Sequence, residues 1–315
     1  MIGAVDIGGT KIAVGIVNSE GRLLIRLESP TRGGGPYEPV IERIAWMLRT
    51  AVDGVGERLH GIGIGSTGPV DPLTGAFGNV NFFPHWEGRN PAEDLERNFG
   101  VSAVIENDAD AAALGEASWG CGKHKSRLLY VTVGTGIGAG LILDGKIYRG
   151  VNHSHPEMGH HVIDASSDTS CTCGSRGCWE SLAAGPAMVR WIERNAPADY
   201  PYRAELSARR ICHLAREGDG WAQRSVERAA RYLGLGLANL VTMFVPDVIA
   251  LGGGVMKSAD LFLPAIRTVL ADSCRLVPYE STELVLASLG DDANLIGAAR
   301  AWYHHCASAG GNGAD

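Results

Sequence analysis

The first thirty residues alternate between short apolar runs and turns. IGAVDI, KIAVGIV and LLIRLES are rich in Val, Ile and Leu, and they are broken by Gly8-Gly9 and by Asn18-Ser19-Glu20-Gly21. Runs of this length between such breaks predict strand, glycine turn, strand, polar turn, strand. At about 37–52 the period changes, with Ile41, Ile44, Leu48 and Val52 falling on one helical face. The all-apolar GIGIGS reads as a buried strand, followed by an irregular stretch from Thr67 to Gly88. Asn90-Pro91 opens a short helix as N-cap and first residue, and Gly100 closes it. The strand SAVIE then runs into ENDADAAALGEASWG, whose Ala-rich part predicts a helix starting near Asp108.

The opening pattern then returns. RLLYVTVGTGIGAGLILDGKIYRG is again strand, glycine turn, strand, Asp-Gly turn, strand, about 125 residues after the first copy. Two such meanders predict an internal duplication. Beyond the second copy the periodicity is mainly helical, at roughly 182–195, 207–217, 221–244 and 257–272. The strands DVIALGG and ELVLAS are interleaved with these helices. A last helix at about 293–306 precedes the polar tail SAGGNGAD, which is expected to be disordered.

Composition narrows the class. The 315 residues predict two domains, and a 45% hydrophobic content is enough for sizeable cores. The formal net charge of −7, without a basic run, argues against nucleic acid as a partner. MIGAVDIGGTK lacks a basic region followed by a long apolar stretch, so no signal peptide is expected. The greasiest segment is interrupted by Asn239, Thr242, Pro246 and Asp247, so no membrane span is expected. The expected location is cytoplasmic, where seven cysteines are not expected to form disulfides.

Three glycine turns are candidate phosphate cradles: Asp6-Ile7-Gly8-Gly9-Thr10-Lys11, Gly134-Thr135-Gly136-Ile137-Gly138 and Gly252-Gly253-Gly254. Glycine lets successive backbone N–H groups approach an anion with no Cβ in the way. Asp6 is placed to hold magnesium through water, and Thr10 or Lys11 to touch phosphate oxygens. A tight structural hairpin is the plain alternative for each turn taken alone. Gly134-x-Gly136-x-x-Ala139 also fits the loose dinucleotide fingerprint, but that fingerprint must open a helix. Here strands follow, so a nicotinamide cofactor is set aside.

The stretches DIGGTK, GIGSTGPVD, ENDADAAALGE, TVGTGIGAG, PEMGH, CTCGSRGCWE and PDVIALGGG together resemble the ROK family (repressors, open reading frames, kinases) over nearly the whole chain. The resemblance implies an α/β, duplicated actin-like (ribonuclease H-like) ATPase fold, with two lobes around a central cleft. Residues 1–118 and 293–315 are expected to form one lobe and 119–292 the other. Asp6 lies within five residues of the start, which leaves no room for the DNA-binding segment of ROK repressors and points to a kinase. ATP and Mg2+ are then the expected cofactors, Asp6, Gly8, Gly9, Thr10, Lys11, Gly134, Thr135, Gly136, Gly252, Gly253 and Gly254 the nucleotide residues, and a homodimer or dimer of dimers the assembly.

Cys171, Cys173 and Cys178 lie inside eight residues, and the histidines before them include His155, His160 and His161. Three thiolates with one imidazole make the composition of a closed structural zinc site. The residues leave the fourth ligand open among these histidines; the resemblance selects His160. Such a Zn2+ ion would order the polar loop VIDASSDTS and fix Glu157 and Glu180 on its two sides. The resemblance assigns Glu157, His160 and Glu180 to the hydroxyls of a sugar.

Phosphoryl transfer to an alcohol also needs an acceptor for the hydroxyl proton. Asp108, at a strand-to-helix junction, is the candidate, with an N-cap carboxylate as its local alternative. The resemblance makes Asp108 the catalytic base and adds Asn107, Asn81 and Gly68 as sugar residues. Asp110 departs from the family's Asn-Asp-Ala-Asn pattern, and its role stays open between tuning Asp108 and facing solvent. Phe82, Phe83 and Trp86 are read as loop packing. The expected reaction is ATP-dependent phosphorylation of the 6-hydroxyl of a hexose. Glucose comes first; N-acetylmannosamine, N-acetylglucosamine and fructose are alternatives, as is a non-catalytic sugar sensor.

Overall fold

The computed structural model describes residues 1–31, 35–79 and 83–310. The chain divides into two compact units: Met1–Tyr130, Gly140–Pro156 and Ala287–Asp315 make the first; Val131–Ala139 and Glu157–Leu286 make the second.

The first meander forms as expected: β1 (Ile2–Ile7), β2 (Lys11–Val17) and β3 (Leu23–Pro30). β1 pairs antiparallel with β2, and β2 with β3. Helix α1 (Tyr37–Val55) follows and ends at Gly56, whose φ of +71° suits a left-handed cap; its N–H donates to Val52 O. β4 (Gly61–Ser66) pairs parallel to β1. Helix α2 (Pro91–Phe99) begins at the Asn90 cap, whose side chain accepts from Glu93 N. β5 (Ala103–Asn107) pairs parallel to β4 and leads directly into α3 (Asp108–Trp119).

The second meander is β6 (Arg127–Val133), β7 (Ile137–Leu143) and a two-residue β8 (Lys146–Ile147). Then come α4 (Trp179–Ala183), α5 (Gly185–Asn195), α6 (Ala208–Arg216), α7 (Gly220–Phe244), β9 (Val248–Gly252), α8 (Ala259–Ser273), β10 (Glu283–Leu286) and α9 (Ala293–Gly310). One sheet has the order β3-β2-β1-β4-β5 and the other, read from its far edge, β8-β7-β6-β9-β10. The same order built from strands five places later is the duplication that the sequence pattern predicts.

Two helices differ from expectation. The single helix predicted over 182–195 is two, because Pro186 lacks an N–H and cannot extend α4; it starts α5 instead. The last helix continues through Ser308-Ala309-Gly310, where the sequence predicts a disordered tail; residues 311–315 lie outside the described residues.

In the first unit both sheet faces are covered. Val5, Ile7, Val14, Ile16, Ile62 and Ile64 pack with Ile44 and Leu48 of α1. On the other face Ile2, Ala4, Ala13 and Val17 meet Leu295 and Ala299 of α9. Each such Ile or Leu contributes about 1.5–3 kcal/mol when fully buried. Phe83 and Trp86 join the α1 side, their rings stacked with centroids 4.4 Å apart, so loop packing holds for these two. Phe82 lies outside the described residues. No described helix is long and apolar enough to cross a membrane.

Candidate functional site

In the first unit the candidate residues gather at strand ends. The turn from Ile7 to Lys11 is closed by Gly8 N donating to Lys11 O at 3.0 Å. Thr31, fully buried and not singled out by the sequence pattern, pins it: its hydroxyl donates to Gly8 O at 2.6 Å and its N–H to Thr10 O at 3.0 Å. Gly9, Thr10 and Lys11 are exposed. Lys11 Nζ donates to Glu28 at 2.7 Å. Hydrogen bonds from Lys11 and Arg26 hold the Glu28 carboxyl down at about 2. Burial, with the neighbouring Asp108 carboxylate adding, pushes Asp6 up to about 7, against Lys11 and a hydrogen bond to Asn294.

The junction of β5 and α3 is built by its own side chains. Asn107, 8% exposed, is the N-cap: its Oδ1 accepts from Ala109 N at 2.8 Å and Asp110 N at 3.3 Å. Asp108 is thus the first helical residue rather than the cap, although its Oδ1 also accepts from Ala109 N at 2.8 Å. A Cβ on Gly68 would meet Asn107 Nδ2 at 3.3 Å, so the Asn107 amide and the Gly68 backbone are adjacent. Asn81 lies outside the described residues.

Flanking Asp108 at two residues on either side are carboxylates with no exposure at all, Glu106 and Asp110. Arg149 grips both oxygens of Glu106, and His305 Nε2 lies 3.3 Å from Glu106 Oε2. Against burial, which raises it, His305 and Arg149 keep the Glu106 carboxyl below its ordinary value. Asp110 Oδ2 lies 2.8 Å from His155 Nδ1, while Oδ1 has no partner. Burial, joined by Glu106, pushes Asp110 up despite His155. Of the two roles left open for Asp110, facing solvent is excluded. A buried acidic pair four residues apart demands hydrogen-bonding partners nearby, but the sequence does not say that Arg149, His155 and His305 supply them.

In the second unit, Gly134 N donates to Gly136 O at 2.9 Å, and Gly185 N donates to Gly134 O at 2.9 Å, tying the start of α5 to the turn. Glu180 Oε2 accepts from Ile137 N at 2.9 Å. A Cβ on Gly136 would sit 2.4 Å from that same oxygen, so only glycine admits the carboxylate. Glu180, expected beside the cysteines, therefore also braces the second glycine turn. Thr135, Gly253 and Gly254 are exposed and Gly252 is partly so. Glu157 is exposed beside the 3-10 turn Met158–His160.

His160, Cys171, Cys173 and Cys178 come together, their ligand atoms all within 4.8 Å of one another. His160 Nδ1 is 3.3 Å from Cys171 Sγ, and Cys173 Sγ is 3.6 Å from Cys178 Sγ. Thiolates at a zinc–sulfur distance of about 2.3 Å in a tetrahedron sit about 3.8 Å apart, so the set fits that ion. Of the competing histidines, His155 Nδ1 is engaged by Asp110 and His161 Nδ1 by Met158 O at 2.5 Å; His161 Nε2 is buried without a hydrogen-bond partner, but His161 is not in the cluster. The turn itself is closed by Cys171 N donating to Ser175 O at 2.8 Å. The polar loop has a second anchor that the sequence reading omitted, Asp164, which accepts from Ser166 Oγ at 2.7 Å and Tyr232 OH at 2.8 Å.

The chain is 36% identical over 316 residues to a glucokinase of Streptomyces coelicolor, covering 94% of this chain and 95% of that one. Among solved structures, a ROK hexokinase from Thermus thermophilus aligns with a TM-score of 0.79 at 35% identity, covering 98% of this chain and 99% of the other. A ROK family glucokinase from Streptomyces griseus, in complex with glucose and AMPPNP, aligns with a TM-score of 0.80 at 34% identity, covering 95% and 97%. The ROK family model itself matches residues 2–305, and the chain belongs to the ROK family.

Proposed function

We propose that this chain is an ATP-dependent hexose kinase, with glucose as its first substrate. The observation that carries the reading is the β5–α3 junction: Asp108 is close enough to Asp6 to raise its pKa, and Asn107, next along the chain, has its amide against the Gly68 backbone. The likeness to relatives named glucokinase, one of them bound to glucose and AMPPNP, supports the choice of hexose and of ATP.

In this reading Asp108 accepts the proton of the sugar 6-hydroxyl as that oxygen bonds to the γ-phosphorus of ATP and the bond to the β-γ bridging oxygen breaks. Products are the 6-phosphate ester and ADP. Asn107 offers its amide N–H to a sugar hydroxyl, its oxygen being committed to the helix cap. Gly68 gives backbone approach, and Glu157, His160, Glu180 and Asn81 complete the hydroxyl contacts. Gly8, Gly9, Gly134, Gly136, Gly252, Gly253 and Gly254 present backbone N–H groups to phosphate, with Thr10, Lys11 and Thr135 adding side-chain donors. Asp6 would hold magnesium, whose charge would offset that of the phosphates. His160, Cys171, Cys173 and Cys178 hold a structural zinc ion, which orders the loop that ends at Glu180. The assembly we propose is a homodimer or dimer of dimers, checked by sedimentation equilibrium.

An ADP-release assay coupled to NADH oxidation, run over glucose, N-acetylmannosamine, N-acetylglucosamine and fructose, tests the reading. The expected result is sugar-dependent ADP release with the highest kcat/KM for glucose. Binding of a sugar without ADP release from any of them would replace the kinase by a sugar sensor.

A further inference from the structure

Behind the polar loop of the second unit lies a cavity of about 310 Å³. Arg190 and Arg194, one turn apart on α5, and Arg228 on α7 all line it. The loop contributes the hydroxyl-bearing Ser167 and Thr169 and the only carboxylate of the lining, the exposed Asp168. None of the three arginines is ion-paired with a carboxylate among the described residues. Arg190 donates to Ser181 O at 3.2 Å and Arg228 to Leu182 O at 2.9 Å, each bond using one of five N–H donors. Arg228 also lies over the Tyr232 ring and feels the Asp164 carboxylate, whereas neither Arg190 nor Arg194 is ion-paired among the described residues.

Such an arrangement is electrostatically costly when empty. Like charges one helical turn apart repel, and burial, joined weakly by Arg190, holds the Arg228 guanidinium below its ordinary range despite Tyr232 and Asp164. Three planar forks and two hydroxyls around one small volume match a tetrahedral oxyanion of more than one negative charge better than a single carboxylate. The volume exceeds what a bare phosphate ion fills.

We propose that this cavity binds a phosphate group, free or carried by a small molecule, at Arg190, Arg194 and Arg228. The site shares no residue with those assigned to catalysis or to zinc and stands whether or not the chain is a kinase. Because Ser167–Thr169 runs two residues before Cys171, occupancy clamps the loop onto α5 and α7.

Calorimetric titration of the metal-replete full chain with inorganic phosphate and, separately, glucose 6-phosphate tests it, at ionic strength held constant with chloride. Phosphate also has the glycine turns available, so the comparison is with Arg194→Glu, an exposed change that leaves the fold intact, and with Arg190→Glu/Arg194→Glu. The expected result is saturable binding that weakens about tenfold or more in the single variant, as for a lost charge-assisted contact, with zinc content unchanged. Tighter binding of the ester identifies the source as a sugar phosphate, and equal binding identifies free phosphate. Equal affinity in wild type and both variants, or no saturable binding at all, overturns the proposal.

Discussion

Asp110 is fully buried, one oxygen lacks a hydrogen-bond partner, and the other lies 2.8 Å from His155 Nδ1 and 4.0 Å from Arg149. Removing one member of a buried pair typically costs about 3–5 kcal/mol, because the other is left uncompensated. His155→Gln should therefore destabilise by about 3 kcal/mol, with protonation of Asp110 limiting the loss. Asp110→Asn in the same chain should restore most of it, as denaturant titration of the double-mutant cycle would reveal. Asp108 is a different case. Asp108→Asn should leave sugar affinity near wild type while lowering kcat by about 10²–10⁴-fold, the usual contribution of a general base; stopped-flow turnover beside a sugar titration separates the two. For Asp6 the sign follows from a carboxyl raised to about 7. Without metal the proton is held more tightly folded than unfolded, so this group subtracts stability as pH climbs from about 4 through 7. Metal binding needs the ionised form, so the apparent magnesium affinity should rise about tenfold between pH 6 and pH 8, measured by titrating magnesium at fixed ATP.

At the scale of elements, the crossing of α3 and α9 positions Asp108. A Cβ on Gly297 would lie 2.0 Å from Ala111 O, and one on Gly115 would lie 3.0 Å from Gly297 Cα. The helices thus pack backbone to backbone, and α3 has no amphipathic stripe because it is buried nearly all round. Gly297→Ala should push α3 away, costing at least the 1–3 kcal/mol typical of overpacking, about 3 kcal/mol here because the clash is with rigid backbone. Chemical denaturation and kcat should fall together. The sequence marks both helices, but it does not tell which glycine is needed for a close approach and which merely ends a turn.

For the whole molecule, the duplicated meander was readable because each copy is local, with strands joined by short turns whose residues declare themselves, whereas the parallel pairing of the later strands was not. The grouping of His160 with Cys171, Cys173 and Cys178 was readable for the same reason, since three of the four share one turn. Protein purified without added metal should contain about one zinc per chain by elemental analysis. Cys173→Ser should lower the thermal midpoint and the zinc content together, because ligation and loop folding are linked. The boundary between units is less legible: it falls inside the second meander, between Tyr130 and Val131 and again between Ala139 and Gly140. No composition shift marks either place, because compactness depends on packing between segments far apart in the chain.

By itself, then, the sequence determined what depends on neighbours along the chain: strand and helix periods, glycine turns, caps such as Asn90-Pro91, and the close spacing of Cys171, Cys173 and Cys178. Tertiary structure alone decided the partners that come from afar. It brought Arg149 and His305 to Glu106, His155 to Asp110 rather than to the cysteines, Glu180 to the N–H of Ile137, and three arginines to one cavity. The physical reason is burial. Spacing announces a residue's own chemistry, but which charge is desolvated, and which distant group compensates it, is settled only when the chain packs.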